Sequence, residues 1–265
     1  MYRLIVLIVA FNLSAAYAIT PVVETDPVNG RAETIRNLDI NGALYNVSFD
    51  HAFGSDVFEG DAVGANAAID AIVSVLNTGY DNVDNSHPLL VAVFVVTFED
   101  ATNSGYAACR SSYIPECDDG DWANAGDLNT YFKNISATAR AYFEPVKQVA
   151  IDVLPGDAAN KVYPNKGGQL PVAILSTDDF DATQVDPATL RFGSAEAALA
   201  GTVTYPDVDG ASGYDALGKF KVQEAGIFCN DTEVSLAGES LAGEPFAGID
   251  SIDATACESG GCHAY

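Results

Sequence analysis

The sequence predicts a mainly β protein of two domains: an α+β N-terminal domain with one clear helix, then an all-β sandwich. Three observations lead there. From Val149 to Phe192, short apolar or alternating runs separated by turn signals follow one another with almost no helical periodicity. One segment, Ala62 to Asn77, carries apolar residues at helical spacing instead. Between these regions Glu144-Pro145-Val146 reads as a boundary, and 265 residues with 48% hydrophobic content suffice for two modest cores. The expected division is a signal peptide over 1–18, a lead-in over 19–31, an α+β domain over 32–146, a β-sandwich over 147–256 and a tail over 257–265.

In the first domain, Asn37 to Phe49 (NLDINGALYNVSF) places Asn41-Gly42 between two alternating segments. Asn-Gly readily takes the positive φ angles of a type I′ turn, so a hairpin is expected. The helix over Ala62 to Asn77 has Val63, Ala67, Ala71 and Val75 on one repeat, with Ile69, Ile72, Val73 and Leu76 beside them, and Gly79 follows as a stop signal. Leu89 to Phe98 (LLVAVFVVTF), rich in β-branched and aromatic residues, reads as the central strand of the first sheet. A long irregular segment follows to Asp127. Leu128 to Ile135 offers a helical turn, and Ala137 to Phe143 alternates as a strand.

The second domain opens with Ile151 and Val153 alternating about Asp152, stopped by Pro155-Gly156. Leu170 to Leu175 (LPVAIL) is too short for a typical helix and apolar throughout, so it fits a strand covered on both faces, central to its sheet. Thr202 to Tyr205, Lys219 to Glu224, Glu233 to Leu236 and Gly248 to Ala254 supply further short strands. A short Leu-Ala-Gly-Glu repeat between Leu236 and Gly248 reads as a glycine-rich hairpin turn. The expected core comprises Ile151, Val153, Val172, Ile174, Leu190, Phe192, Phe220 and Val222, each on the apolar phase of its strand.

Met1 to Ala18 has Arg3, an apolar run from Leu4 to Phe11, and small residues at Ala16 and Ala18 matching an A-x-A cleavage site. This is the pattern of a signal peptide, and it predicts a secreted, extracellular or periplasmic protein with no membrane span after its removal. The formal net charge is -25, from 12 Lys+Arg against 37 Asp+Glu. Such a balance disfavours nucleic acid as a partner and attracts divalent cations. Five cysteines in an exported chain point to disulfides. The proposed pairs are Cys109 with Cys117 and Cys229 with Cys257, leaving Cys262 unpaired. No C-x-x-C occurs, and with only His51, His87 and His263 a zinc site is not expected.

The segment Val149 to Ile252 resembles a module at the C-termini of secreted, often multidomain, bacterial and archaeal proteins. The residues concerned are IDVLPG (Ile151 to Gly156), LPVAILSTDDFDATQVDPATLRFG (Leu170 to Gly193), Cys229-Asn-Asp-Thr-Glu, and the GxPFxGxDSI pattern of Gly243 to Ile252. Leu38 to Asn77 is similar to a domain of exported proteins of the PEP-CTERM type, which exosortases sort. The Pro-Glu-Pro motif, apolar anchor and basic tail of that type do not follow, so free secretion or a periplasmic location is expected. These resemblances imply export and architecture; they imply no reaction. They also point to a prokaryotic source, for which the sequons at Asn46, Asn134 and Asn230 carry no glycosylation signal.

One stretch has metal-like spacing, Asp207-Val-Asp209-Gly210-Ala-Ser-Gly213-Tyr-Asp215. Calcium takes six to eight oxygens from a flexible, carboxylate-rich loop, and Asp207, Asp209 and Asp215 are its candidate ligands here. The position of the bidentate glutamate in an EF-hand is held by Gly218, which excludes that motif. Asp118, Asp119 and Asp121 form a weaker acidic cluster.

Catalytic motifs are absent from the sequence: there is no G-x-S-x-G, phosphate loop, H-E-x-x-H or dinucleotide fingerprint. Glu239-Ser240 breaks the hydrolase spacing, Asp178-Asp179 reads as a strand-ending turn, and Asp50-His51 forms a dyad only with a serine that folding brings near. The expectation is a secreted, non-enzymatic binding, adhesion or structural protein of the cell exterior, its partner an extracellular ligand, an envelope component or a second copy of the chain. The alternative is a secreted hydrolase whose site lies between the domains and uses His51 or His87.

Overall fold

The computed structural model describes residues 19–51, 57–79, 93–97, 105–109, 121–127, 139–211 and 213–255. It is mainly β, with one α-helix among these residues. The strands are β1 (Val22–Thr25), β2 (Ala32–Ile40), β3 (Ala43–His51), β4 (Val93–Thr97), β5 (Gly105–Cys109), β6 (Ala123–Asp127), β7 (Ala139–Gln148), β8 (Ile151–Val153), β9 (Gln169–Ile174), β10 (Arg191–Phe192), β11 (Ala197–Ala198), β12 (Ala216–Lys221), β13 (Glu233–Glu239) and β14 (Pro245–Ser251).

The Asn41-Gly42 hairpin forms as expected: both residues have positive φ, 56° and 87°, and β2 pairs antiparallel with β3 across them. The helix α1 runs Ala62–Leu76, and its first turn is capped by Asp61, whose carboxylate accepts the Gly64 N–H at 2.9 Å. Its buried face is Gly64, Ala65, Ala68, Ile69, Ile72 and Leu76. The row expected to begin at Val63 is therefore the flank of that face: Val63 is 79% exposed, while Ala67, Ala71 and Val75 are partly buried against the core. At the other end of α1, Asn77 donates from Nδ2 to the Trp122 carbonyl and accepts the Trp122 N–H at Oδ1, fixing the helix to the segment entering β6.

The apolar run expected as a central strand contributes β4, which lies between β5 (antiparallel) and β7 (parallel) on a branch of the main sheet. The rest of that run, Leu89–Ala92 and Phe98, is outside the described residues, as is Leu128 to Ile135. Of the strand expected over Ala137 to Phe143, the part from Ala139 is in β7, and Ala137 and Thr138 lie outside the described residues.

The expected domain boundary at 146/147 falls inside β7. This strand pairs antiparallel with β3 through residues 140–146 and parallel with β14 through Lys147↔Phe246 and Gln148↔Ala247. One 11-stranded sheet therefore crosses the point where the sequence predicts a break, with the order β1-β2-β3-β7-β14-β13-β10-β11 and β4, β5 and β6 branching from β7. Pro145 does not interrupt it: it sits opposite Tyr45 within the pairing, and its missing N–H does not end the strand.

Alternation along β7 and β14 separates the two faces of this sheet. Ala141 and Phe143 join α1, Phe49 and Phe58 in a first core, and Phe143 meets Phe58 edge-on at a centroid distance of 5.0 Å. Phe246 enters a second core. Val146 and Ala247 point the other way, into a small cluster with Ile19 and Leu44. Both large cores thus lie on one face of the sheet.

The second core is closed by a three-stranded sheet ordered β12-β9-β8. β9 is its central strand, as the apolar run implies, with Val172, Ala173 and Ile174 all buried. All eight residues expected in this core lie in a single cluster, with Phe192 stacked on Phe220 at 5.0 Å. Thr202 to Tyr205 forms only an isolated bridge, Thr204↔Leu217, and no strand. The Leu-Ala-Gly-Glu segment makes the β13–β14 hairpin turn, in which Ser240 Oγ accepts the N–H groups of Ala242 and Glu244.

The second face of the large sheet is concave, because the sheet curls until its two ends meet. Arg36 of β2 is 2.6 Å from Glu196, which sits in the turn between β10 and β11 and is 160 residues away in sequence. The Arg36 Nε also lies 2.8 Å from Glu24 of β1, as an ion pair without hydrogen-bond alignment.

Candidate functional site

The three predicted calcium ligands converge. Asp207, Asp209 and Asp215 each offer a carboxylate oxygen, and these oxygens lie within 4.8 Å of one another. Asp207 and Asp209 are exposed, whereas Asp215, immediately before β12, is 1% exposed. The loop is folded by its own side chains: Asp207 Oδ1 accepts the Gly210 N–H and Asp209 Oδ1 accepts the Ala211 N–H, both at 2.8 Å. Gly210 and Gly213 take positive φ values of 74° and 128°, conformations that side chains rarely adopt.

Asp215 holds two parts of the chain together. Its Oδ1 accepts the Ser176 N–H at 2.9 Å, just beyond β9, and its Oδ2 accepts the Val208 N–H at 2.7 Å. Ser176 Oγ in turn donates to the Tyr214 carbonyl. A buried carboxylate needs such partners, and these two N–H groups account for its burial. They do not offset the crowding of three negative charges, and none of the described ion pairs involves this loop. The donor set is all oxygen and anionic, the kind that suits a hard divalent cation.

The other candidates separate. Asp179 is paired with Lys147 and accepts from Thr177 Oγ1, contacts that hold its carboxyl below the ordinary carboxylate range; with Asp178 it sits in the tight turn between Thr177 and Phe180. Ser240 is occupied in its hairpin turn. Of the second acidic cluster only Asp121 is described, exposed ahead of Trp122, and Asp118 and Asp119 lie outside. So do His87, His263 and the side chains of Asp50 and His51. Cys109 and Cys229 are both disulfide-bonded, and their expected partners Cys117 and Cys257, like Cys262, are outside the described residues.

Two features had no signal in the sequence reading. Asp250, within the Gly243 to Ile252 pattern, accepts at Oδ2 from the Val153 N–H and from Asn160 Nδ2, tying β8 and its following loop to β14. Its charge adds to burial in pushing the nearby Asp152 carboxyl up from its ordinary value. The other is a cleft of about 730 Å3 in the concave face. It is bounded by Ile19–Val23, by the turn after β10, by the 226–232 segment, and by the outward residues of β13 and β14.

Comparison of the chain with protein-family models, with curated proteins and with solved structures finds no match.

Proposed function

We propose that the chain is an exported, non-enzymatic binding or structural protein of the cell exterior, and that its 207–215 loop takes calcium. The convergence of three carboxylates within 4.8 Å carries this reading. With three charged ligands and no bidentate glutamate, the affinity expected is about 10⁻⁴ to 10⁻³ M, the range of extracellular modules. Only a calcium-rich exterior fills such a site, so the weakness of the site and the location support each other. The oxidised state of Cys109 and Cys229 favours the same compartment. So do the apolar run and A-x-A site of Met1 to Ala18 and the resemblance to modules of secreted prokaryotic proteins.

Calcium titration of the melting temperature tests the loop. At a tenfold excess over Kd, binding to the folded state contributes about 1.4 kcal/mol, or roughly 3 to 5 °C for a chain of this size. Asp209→Ala removes an exposed ligand that anchors nothing outside the loop, so it should abolish the rise while leaving the calcium-free melt close to the parent. An equal rise with magnesium that survives Asp209→Ala indicates general screening of an acidic surface and rejects the site. Export is tested separately: the intact mass of the protein recovered from its native source should correspond to a chain beginning at Ile19.

A further inference from the structure

We infer that the cleft in the concave face binds a short extended peptide with free termini, its carboxylate at Arg191 and its amino group at Glu233. This rests on the reading of the chain as a binding protein and names the site and the class of ligand.

The volume, about 730 Å3, is within the usual range of small-ligand pockets, and one end of the cleft differs in charge from the other. Glu233, Ser235 and Ala237 alternate outward along β13, opposite to Val234 and Leu236, which are buried in the second core. Arg191 of β10 pairs directly with Ala237, so it shares their face. Ile249, paired with Ser235, gives the middle of the cleft an apolar floor, and Ala237 lies beside Arg191 at one end. Four residues of strand separate the level of Arg191 from Glu233, a span of about 13 Å at 3.3 Å per residue. An extended tetrapeptide has the same span between its charged ends.

The charges are available. Arg191 Nη1 is fixed by the carbonyls of Ala188 (3.1 Å) and Leu190 (2.8 Å), and none of the described ion pairs supplies it with a carboxylate. The acidic neighbour in the cleft wall, Glu196, is taken by Arg36. A guanidinium held in this way, in a chain of net charge -25, is suited to a ligand carboxylate. At the other end Asp231 reinforces Glu233, and its Oδ2 is fixed by the Phe228 N–H at 2.7 Å. Among the described strands β1 is the last on its side of the sheet, and its Val22 and Val23 line the cleft. An extended peptide satisfies such an edge; a compact ligand does not.

Titration calorimetry of the mature, disulfide-intact chain with tetra-alanine tests the site. Saturable binding is expected, weakened about tenfold or more by amidating the peptide's C-terminus and likewise by acetylating its N-terminus, since each removes a charge-assisted contact. Arg191→Gln should weaken the free peptide similarly and leave the amidated peptide no weaker than it already is; Glu233→Gln should show the same relation to the acetylated peptide. Absence of saturable binding, or binding indifferent to Arg191→Gln and to amidation, overturns the assignment. If either occurs while the calcium response of the 207–215 loop persists, the cleft assignment alone falls. Loss of the calcium response with peptide binding intact rejects the loop alone.

Discussion

Phe220→Ala tests whether the curled sheet makes one folding unit of the chain. Phe220 is fully buried in the second core, stacked on Phe192, opposite Leu170 of β9 and bridged to Leu199. Its backbone is held on both sides by these partners, so the site cannot collapse around a truncated side chain, and the expected loss is about 4 kcal/mol. With a urea m-value near 3 kcal/mol/M, the midpoint should fall by about 1.3 M. Trp122 provides the readout, being the single tryptophan and buried in the first core, remote from the substitution. Because β7 is laddered to both β3 and β14, and Arg36 and Gln148 add bonds to Glu196 and the Gly42 carbonyl, the Trp122 fluorescence transition should move with the far-ultraviolet circular dichroism transition. Phe228→Ala, at a side chain 63% exposed, is the control and should move neither by more than about 0.2 M. If circular dichroism becomes biphasic while the Trp122 midpoint stays in place, the halves fold independently and the coupling through β7 is too weak to matter.

Asp215→Asn replaces an acceptor of two N–H groups with a side chain able to accept only at one oxygen, so it should cost about 1 to 3 kcal/mol in calcium-free melts. Asp152→Asn should stabilise the protein at pH 7 by under about 1 kcal/mol. The folded state raises the Asp152 pKa, so its penalty is present when the group is ionised and disappears as pH falls through the raised value toward 3.8; the advantage of the variant over the parent in melts at stepped pH should fade over that window. Gly193→Ala should be among the most damaging single changes, lowering the midpoint by more than about 2 kcal/mol in equivalent free energy: Gly193 has φ 74°, and a Cβ there lies 2.0 Å from the Ala225 carbonyl oxygen. Non-reducing peptide mapping should join Cys109 to Cys117 and Cys229 to Cys257; a peptide linking Cys257 to Cys262 contradicts the second pair.

What the sequence made legible was local. The Asn41-Gly42 turn needs only the positive φ of two adjacent residues, and the second core follows from period-two patterns within single strands. The acidic loop was found because all three carboxylates lie within nine residues, separated by glycines, so that bringing them together needs no tertiary information. Of the helical residues read as apolar, Ile69, Ile72 and Leu76 lie on the buried face, while the row of Val63, Ala67, Ala71 and Val75 flanks it, because both rows keep a helical spacing. Which row is buried depends on where β2 and β5 lie, and periodicity does not contain that.

The continuity of β7 across the Glu144-Pro145-Val146 signal has a related origin. Glu-Pro is a sound punctuation signal in isolation, since proline lacks a ladder donor, but its cost depends on whether the partner strand needs that donor. Two residue pairs, Lys147↔Phe246 and Gln148↔Ala247, carry the sheet across, and they join positions about a hundred residues apart that no short window compares. The cleft follows from that pairing. Its charged groups, Arg191 and Glu233, stand on strands separated by some forty residues, and its wall at Val22 arrives only because the sheet curls far enough for Arg36 to reach Glu196. Residues that look like unremarkable surface charges in sequence thus become the two poles of a site, through a register that two backbone pairings set.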